Sequence, residues 1–268
     1  MNPTQIKAAL TELGGSANKR LGQHFLIDQN VLGRIVDTAA IKKGDRVLEV
    51  GPGLGVLTRA LLDRGAEVIA IEQDRRFIER LSDPNLRVVH GDAAAIHWHE
   101  LVDDRPWKFV SNLPYSMTSL ALRKALWSPK PPQEVVVLIQ REVAERCIAR
   151  DGKTSLLSLM VALASESSRI VTRVARGAFY PPPKVESAVL HVVPMSVNDR
   201  EKKWGMNPEK VMDVARKGFA HPRKLLSSNL EIDPSVLGNL GLNPKARAED
   251  LAPEAWARLA SVVVSLEL

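Results

Sequence analysis

Five short apolar runs, each followed by a segment of helical pattern, constrain the fold of this chain more than any other feature of its sequence. The runs cover residues 46–50, 68–71, 86–90, 109–110 and 135–139. Strand-like runs that alternate with helical segments predict βαβ units and therefore a mostly parallel sheet. The fifth run is entirely aliphatic, which is typical of a strand at the centre of such a sheet.

The order of elements changes after the fifth run. Residues 155–163 have a helical pattern, and two more strand-like runs follow at residues 170–174 and 188–193. Residues 179–185 between these two runs are rich in proline, which cannot enter the interior of a sheet. We therefore predict that a loop, and not a helix, joins the two runs. We therefore predict a Rossmann-like α/β fold: a seven-stranded, mostly parallel sheet with helices on both faces and an antiparallel pair at one edge.

A polar segment at residues 194–207 separates two regions of the chain. We predict an α/β domain over residues 1–194, in which residues 1–26 form an N-terminal arm. We predict a small helical C-terminal domain over residues 195–268, where the helical patterns are interrupted by prolines. A chain of 268 residues is long enough for one large domain and one small one.

Composition excludes several classes of protein. The longest aliphatic run, residues 135–139, is far too short to cross a bilayer, and the first twenty residues lack the apolar core of a secretory signal. The single cysteine, Cys147, cannot form an internal disulfide and fits a reducing compartment. His97 and His99 lack a second pair of ligands, so we predict no metal. We expect a cytoplasmic protein with no membrane partner.

Positive charge is concentrated in one stretch of the chain. The formal net charge is +6, and residues 123–184 alone hold 11 basic against five acidic side chains. Such a concentration is expected of a face that binds a polyanion such as RNA. A set of solvated helix faces would give the same composition, so charge alone leaves both interpretations open.

The turn after the first strand-like run contains Gly51, Gly53 and Gly55. Glycines between a strand and a helix let the backbone approach a ligand closely and direct the N–H groups of the helix toward it. The spacing departs from the usual dinucleotide pattern, because Val56 stands where that pattern has its third glycine. The turn favours a nucleotide-like ligand, and a purely structural turn is the alternative.

Two acidic residues end the next two strand-like runs. Glu72 follows Gly51 by 21 residues, where a carboxylate can accept hydrogen bonds from two ribose hydroxyls. Asp92 could accept a hydrogen bond from an adenine amino group. Each could instead be a local feature: Glu72 beside a helix entrance capped by Asp74, and Asp92 as the cap of the following helix. Together, after the glycine turn, they favour an adenosine-containing cofactor.

The tetrapeptide Asn112-Leu113-Pro114-Tyr115 follows the fourth run. It combines an amide, a rigid proline and an aromatic ring at the edge of the sheet where α/β proteins hold their ligands. That combination suits a flat base with an exocyclic amine, which the amide would grip and the ring would stack against. A simple turn with a packed tyrosine is the alternative.

With these motifs in order, the chain resembles the ribosomal RNA adenine dimethyltransferases, and among them the 16S rRNA enzymes of the kasugamycin-sensitivity type. The resemblance covers nearly the whole chain. It rests on Gly22-Gln23-His24-Phe25-Leu26, Glu49-Val50-Gly51-Pro52-Gly53-Leu54-Gly55, Asn112-Leu113-Pro114-Tyr115 and Phe179-x-Pro181-x-Pro183-Lys184-Val185, and, in the last domain, on Arg223-Lys224-x-Leu226-x-x-Asn229-Leu230 and Arg247-Ala248-Glu249-x-Leu251.

The resemblance implies a class I methyltransferase that uses S-adenosylmethionine. The cofactor-binding residues would be His24, Leu26, Gly51, Gly53, Gly55, Glu72, Asp92 and Asn112. The catalytic group would be Asn112, Leu113, Pro114 and Tyr115, with Phe179 closing the second face of the base. The RNA-binding candidates are Arg123, Lys124, Arg141, Arg146, Arg150, Lys153, Lys184, Arg223 and Lys224.

The function that the resemblance implies is dimethylation of N6 on two adjacent adenines near the 3′ end of 16S rRNA, in the immature 30S subunit, by a monomeric enzyme with a role in ribosome biogenesis. Two alternatives stay open. One is a 23S rRNA adenine methyltransferase of the antibiotic-resistance type. The other is a small-subunit assembly factor that keeps the fold without the activity, although the intact glycine turn, Glu72 and Asp92 argue against it.

Overall fold

A computed structural model describes residues 1–18, 22–149 and 152–266. By their internal contacts they form two compact units. The first contains Met1–Ala144 and Arg169–Pro194, and the second contains Glu145–Ser168 and Met195–Leu268. The second unit differs from the predicted C-terminal domain, because residues 145–168 group with the C-terminal helices, although residues 165–168 also begin the strand Ser165–Val174. Pro194 ends the first unit, and the predicted domain limits stay a prediction.

The first unit holds most of the sheet. Its elements are α1 (Pro3–Glu12), β1 (Phe25–Leu26), α2 (Gln29–Thr38), β2 (Arg46–Val50), α3 (Val56–Asp63), β3 (Glu67–Glu72), α4 (Arg75–Ile78), β4 (Leu86–His90), α5 (Trp98–Val102), β5 (Trp107–Asn112), α6 (Thr118–Leu126), β6 (Glu134–Gln140), β8 (Phe179–Tyr180) and β9 (Ser187–Pro194). The helix α7 (Arg141–Cys147) and the strand β7 (Ser165–Val174) each have residues in both units.

The predicted seven-stranded sheet is confirmed, with the strand order β4-β3-β2-β5-β6-β9-β7. The pairs among β2 to β6 are parallel, and β9 lies antiparallel to β6, as the proline-rich loop predicts. The chain runs outward from β2 to β4 and then returns to place β5 on the other side of β2. The carboxyl ends of β2 and β5 therefore flank the topological switch point, where α/β sheets bind ligands.

Helices cover both faces of the sheet, as predicted. Val110 on β5 packs in one cluster with Ile35 of α2 and Leu61 of α3. The preceding residue, Phe109, points to the opposite face, because successive side chains on a strand alternate. Its ring lies 5.1 Å from the ring of Trp98 on α5. The centre of the sheet is therefore dry on both sides, which explains why β6 is entirely aliphatic.

The N-terminal region is more structured than the predicted arm. The helix α1 begins with a capping box between Asn2 and Gln5, and it buries Ile6 and Leu10 against Phe25 and Phe77. The short strand β1 then pairs antiparallel with β8 of the proline-rich loop. Two segments far apart in sequence are thereby fixed to one another in the first unit.

The second unit is helical. It contains α8 (Leu156–Ala164), α9 (Val197–Trp204), α10 (Pro208–Gly218), α11 (Leu226–Leu230), α12 (Pro234–Asn239) and α13 (Pro253–Leu266). Trp256 is fully buried and stacks on Phe219 with ring centroids 5.5 Å apart. Gly218 is required there, since a Cβ at this position would lie 2.5 Å from the Trp256 ring. Over the described ranges, no helix combines the length and apolarity that a membrane span requires.

Candidate active site

A cavity of about 310 Å³ lies in the first unit at the switch point of the sheet. Its walls come from the glycine turn after β2, from the ends of β3, β4 and β5, and from residues 22–26 of the N-terminal region. A volume of this order suits a small ligand. The structure thus brings together the glycine turn, the strand-end acids and the tetrapeptide that the sequence singled out.

The glycine turn has a backbone that other residues would strain. Gly51, Gly53 and Gly55 all have positive φ, at 70°, 55° and 77°. A Cβ on Gly51 would make an ordinary contact with the Pro114 ring at 3.5 Å, but one on Gly53 would lie only 3.0 Å from the Phe25 ring. Glycine is needed both for the left-handed conformation and for the close approach of neighbouring segments.

Glu72 ends β3 at the wall of the cavity and is buried, with 5% of its surface exposed. Its Oε2 accepts a hydrogen bond from Gly53 N at 3.0 Å, and its Oε1 accepts one from Asp74 N at 2.7 Å. Burial raises the pKa of this carboxyl, and the two backbone donors oppose that rise. Each oxygen keeps a second lone pair, so the fixed carboxyl can still accept hydrogen bonds from ligand hydroxyls.

Glu49 also lines the cavity, and the sequence prediction did not include it among the site residues. It is buried on β2, and its Oε2 accepts a hydrogen bond from Thr58 Oγ1 at 2.7 Å. Burial raises its pKa to about 8, and the negative charge of Glu72 contributes to the rise. An acidic residue inside an otherwise apolar strand is a sequence feature that could have identified it, since buried carboxyls are rare outside functional sites.

Asp92 lies at the cavity wall after β4, where its Oδ1 accepts a hydrogen bond from Ala94 N at 2.8 Å. It therefore holds a turn of the backbone and does not cap a helix as the alternative expected, because the next helix, α5, begins at Trp98 with His97 as its N-cap. Lys124 on α6 supports the same loop by donating from Nζ to Ile96 O at 2.8 Å. Its ammonium group also lies 5.9 Å from the Trp98 ring centroid.

The charge of the cavity constrains its ligand. Among the described residues that line it, three are acidic, Glu49, Glu72 and Asp92, and none is Lys or Arg. A phosphate-bearing ligand would meet no compensating cation in this lining, whereas a ligand with a net positive charge would be stabilised by these carboxyl groups in their ionised form. S-adenosylmethionine carries a sulfonium and an ammonium group against one carboxylate, so the residues present fit it.

Asn112 ends β5 with its side-chain amide held in place. Its Nδ2 donates to His24 O at 3.1 Å, which leaves Oδ1 as an acceptor for a ligand. The strand end is itself anchored, because Leu113 N donates to Leu138 O at 3.1 Å and Ser111 Oγ donates to Val50 O at 2.7 Å. The position of the amide is therefore fixed from both the side chain and the strand end.

Tyr115 begins a 3₁₀ turn, Tyr115–Met117, directly after Pro114. Its hydroxyl forms a hydrogen bond with Ser187 Oγ at 2.7 Å, and burial raises its pKa. Its ring stacks with the His24 imidazole, with centroids 5.8 Å apart and planes at 27°. The His24 ring is fixed in turn, since its Nδ1 lies 2.8 Å from Pro181 O, a carbonyl that can only accept.

The N-terminal segment holds a further contact that sequence reasoning missed. Gln23 Nε2 donates to Asp74 Oδ2 at 3.0 Å, and its Oε1 accepts from Asn18 N at 2.7 Å. Asp74 also pairs with Arg76, whose guanidinium lowers the pKa of that carboxyl. Arg76 is thus paired with Asp74 beside the cavity and is not among the residues that line it.

The structure does not bring Phe179 into the cavity. Its side chain is only 2% exposed and packs in the core cluster with Leu26, its neighbour in the β1–β8 pair. Leu26 is also buried but still lines the cavity. The second face of the predicted base site is therefore not supplied by Phe179 in this arrangement.

The predicted RNA-binding residues have different surroundings. Arg123, Lys184, Arg223 and Lys224 are exposed. Arg141 and Lys153 form ion pairs with Glu186 and Glu249, and Lys124 is held at Ile96 as described above. Arg146 is exposed, and Arg150 lies outside the described residues. Four of the nine lie in the first unit, Arg123, Lys124, Arg141 and Lys184, and the other described residues lie in the second.

The described residues contain no group of three or more His, Cys, Asp or Glu side chains that could hold a metal ion. His97 and His99 contact one another edge to face, with centroids 5.8 Å apart. Cys147 is buried, and burial raises the pKa of its thiol to about 12.

Comparison with known proteins identifies the family of this chain. The sequence profile of the ribosomal RNA adenine dimethylase family matches residues 14–264, which is nearly the whole chain. The chain belongs to the ribosomal RNA adenine dimethylase family. It is 40% identical to ribosomal RNA small subunit methyltransferase A of Dehalococcoides mccartyi strain CBDB1, over 91% of this chain and 87% of the relative. It is 38% identical to the protein of the same name from Phenylobacterium zucineum, over 95% and 91%.

Solved structures of dimethylase relatives have the same fold. A dimethyladenosine transferase from Plasmodium falciparum aligns with a TM-score of 0.76 and 26% identity, over 91% of this chain and 99% of that protein. The 23S rRNA methyltransferase ErmE aligns with a TM-score of 0.68 and 27% identity, over 90% and 99%. The predicted class I methyltransferase fold is thereby confirmed.

Proposed function

We propose that this protein transfers methyl groups from S-adenosylmethionine to N6 of two adjacent adenines near the 3′ end of 16S rRNA, within the immature 30S subunit. The observation that carries the proposal is the acidic cavity with the Asn112 amide at its edge, in a member of the adenine dimethylase family. The relatives at 38–40% identity are named as small-subunit enzymes, which favours this substrate over 23S rRNA.

The cofactor would be held by residues of the cavity wall. Gly51, Gly53 and Gly55 give its polar groups close access to the backbone, and Glu72 accepts from its ribose hydroxyls. Asp92 and the loop after it hold the adenine end. His24 and Leu26 close the cavity from the N-terminal segment. When bound, the cofactor supplies an activated methyl group on a sulfonium centre.

The catalytic contribution of the protein is positioning. An adenine N6 amine is a poor nucleophile, because its lone pair is delocalised into the ring. Asn112 Oδ1 and the Leu113 carbonyl accept its two N–H groups and favour a pyramidal nitrogen. Pro114 stiffens the acceptor loop, and the Tyr115 ring stacks on the base. A dedicated strong base is not needed for this chemistry.

RNA binding depends on exposed basic side chains, with Arg123, Lys184, Arg223 and Lys224 as the leading candidates. Their contacts would be to phosphates, so binding to small subunits weakens steeply with salt. Because the substrate is ribosomal RNA, we place the enzyme in the cytoplasm, where it acts as a monomer in ribosome biogenesis. Sedimentation of the purified protein tests the monomer.

The direct test is mass mapping of N6,N6-dimethyladenosine after incubation with labelled cofactor and three substrates: immature 30S particles, mature unmethylated small subunits, and 23S rRNA. The proposal expects modification at two adjacent adenines of 16S rRNA in 30S particles. Modification of 23S rRNA alone would assign the protein to the resistance type. Binding to 30S particles without cofactor binding or methyl transfer would indicate an assembly factor.

A further inference from the structure

The Tyr115 side chain is held at its tip by a residue outside the cavity wall. Its hydroxyl lies 2.7 Å from Ser187 Oγ. Ser187 is fully buried at the start of β9 and is not among the described residues that line the cavity. A buried hydroxyl requires a hydrogen-bond partner, and the Tyr115 hydroxyl supplies it. The two residues are 72 positions apart in the chain, so only the folded protein brings them together.

The backbone of Ser187 is fixed by the centre of the sheet. Ser187 pairs with Gln140 in the antiparallel register of β6 and β9. Beside this pair, Arg141 N donates to Glu186 O at 2.9 Å. The aliphatic residues of β6 are fully buried, so this strand is a rigid support. The hydroxyl that contacts Tyr115 therefore has a fixed position in the first unit.

The same strand also fixes the amide of the tetrapeptide. Asn112 pairs with Leu138 in the parallel register of β5 and β6, and Leu113 N donates to Leu138 O at 3.1 Å. The strand β6 is thus a common reference for the Asn112 amide and for Ser187. Through the hydrogen bond to Ser187, it also sets the position of the Tyr115 ring relative to that amide.

The other hydrogen bonds around Tyr115 hold its backbone and not its ring. Met117 N donates to Pro114 O at 2.9 Å, and Thr118 Oγ1 donates to Tyr115 O at 3.1 Å. A tyrosine side chain still rotates about two torsions when its backbone is fixed. The directional contact at the far end of the ring, with Ser187, is what restricts both torsions together.

We infer that Ser187 is a positioning residue for methyl transfer, whose hydroxyl holds the Tyr115 ring where it stacks on the target base beside the Asn112 acceptor. This inference deepens the proposed function and rests on it, because stacking of the base on Tyr115 belongs to that proposal. Ser187 acts through Tyr115, since it does not line the cavity. Loss of its hydroxyl should slow the transfer step more than it weakens binding, because transfer depends on exact geometry.

The test is a double-mutant cycle, measured by single-turnover methyl transfer from labelled S-adenosylmethionine to unmethylated small subunits. Ser187→Ala removes the hydroxyl on β9, Tyr115→Phe removes the hydroxyl on the ring and keeps its stacking face, and the double variant removes both. Ser165→Ala is the matched control, because Ser165 is also buried and its hydroxyl donates to Val161 O at 2.7 Å in the second unit. Melting temperature checks folding, and calorimetry and filter binding give the Kd of Ser187→Ala for cofactor and subunits.

We expect Ser187→Ala to slow transfer by about tenfold, the upper scale for one hydrogen bond, with both Kd values within about twofold of wild type. Tyr115→Phe should slow transfer to a similar extent. The double variant should be no slower than the slower single variant, because both changes remove the same bond. Ser165→Ala should lower the melting temperature about as much as Ser187→Ala and still transfer at the wild-type rate.

Transfer at the wild-type rate by Ser187→Ala would overturn the inference, since the bond would then only stabilise the fold. Multiplication of the two single effects in the double variant would also overturn it, because the side chains would then act independently. If Ser187→Ala does not fold, Tyr115→Phe decides: wild-type transfer refutes the inference, and slower transfer with an unchanged Kd for subunits supports it. Absence of methyl transfer by the wild-type protein to any rRNA would refute the proposed function itself.

Discussion

The cavity and the basic surface of this protein differ in how strongly their side chains are constrained. The cavity residues come from five separate segments of the chain, yet Glu72 and Asn112 are fixed by hydrogen bonds to the backbone and the glycines of the turn have positive φ. The nine basic residues predicted for RNA binding include exposed side chains, ion-paired ones and one, Lys124, whose ammonium group supports a loop.

This difference explains why a sequence motif predicts a functional residue more reliably than a count of charged residues does. A residue such as Glu72 has few chemical substitutes, because its position demands a buried acceptor for Gly53 and Asp74. A lysine or arginine on the surface can serve an ion pair, a helix end or a ligand equally well. Four sets of variants test this difference between the cavity and the basic side chains.

The largest effect is expected for Asn112→Ala. The variant loses the acceptor for the base amine, and we expect methyl transfer to fall by about 100-fold or more, the scale seen when one preorganised polar group is removed. Asn239→Ala, at an exposed position on α12, is the matched control and should leave the rate of methyl transfer unchanged. The measurement is single-turnover transfer to small subunits, with melting temperature as a check of folding. Near wild-type transfer by Asn112→Ala would disprove the proposed chemistry.

The second prediction concerns Glu49 and pH. Its pKa is raised from 4.5 to about 8 in the folded protein, so the folded state binds more protons than the unfolded state between these values. The free energy of unfolding of the free protein should therefore fall as pH rises from about 4.5 to about 8. Denaturant unfolding across this range measures it. Glu49→Gln should reduce the slope, leaving the contribution of Glu72, whose pKa is also raised.

Cofactor binding should show the opposite dependence. A cationic ligand favours the ionised carboxylate, so the affinity for S-adenosylmethionine should rise with pH up to about 8 and then level off. Glu49→Gln should bind more weakly at pH 8 and lose most of this dependence, by calorimetry. The exposed Glu254→Gln is the control. An unchanged pH profile in Glu49→Gln would remove Glu49 from the cofactor site.

The third prediction compares the effect of exposed basic side chains on RNA binding with that of a basic side chain that forms an ion pair. The double change Arg223→Ala with Lys224→Ala should weaken binding to small subunits by about tenfold and reduce the slope of log K against log salt by about 1 to 2, if each side chain contacts one phosphate. Lys153→Ala should have a smaller effect, because Lys153 is paired with Glu249. Filter binding across a salt series measures both. A larger effect from Lys153 would show that ion pairs in this protein open to meet RNA.

The smallest effect is expected for Lys124→Met, which keeps most of the apolar stem and removes the ammonium group. Loss of the bond to Ile96 O should loosen the loop after Asp92 and weaken S-adenosylmethionine binding by about two- to fivefold, the scale of one hydrogen bond. Arg123→Met, at the exposed neighbouring position, is the control for cofactor binding. If Lys124→Met instead weakens subunit binding alone, its role is the RNA contact that the charge pattern predicts.

Much of the fold could be predicted from local pattern. The alternation of strands and helices gave the parallel sheet, and proline placement gave the antiparallel return of β9. The helix α1 was missed because its apolar face is narrow, with only Ile6, Ala9 and Leu10 buried. The grouping of residues 145–168 with the C-terminal helices was also missed, since it depends on packing partners distant in the chain, such as Trp204, whose indole donates to Leu163 O.

Local backbone chemistry, which can be recognised in the sequence, accounts for the succession of strands along the chain, for the glycines at positions 51, 53 and 55, and for the acids at the end of β3 and just after β4. Long-range packing, in contrast, buries Glu49 near Glu72, places Phe179 in the core and stacks His24 on Tyr115. Burial and ring contacts join residues distant in the chain, and no local pattern carries that information.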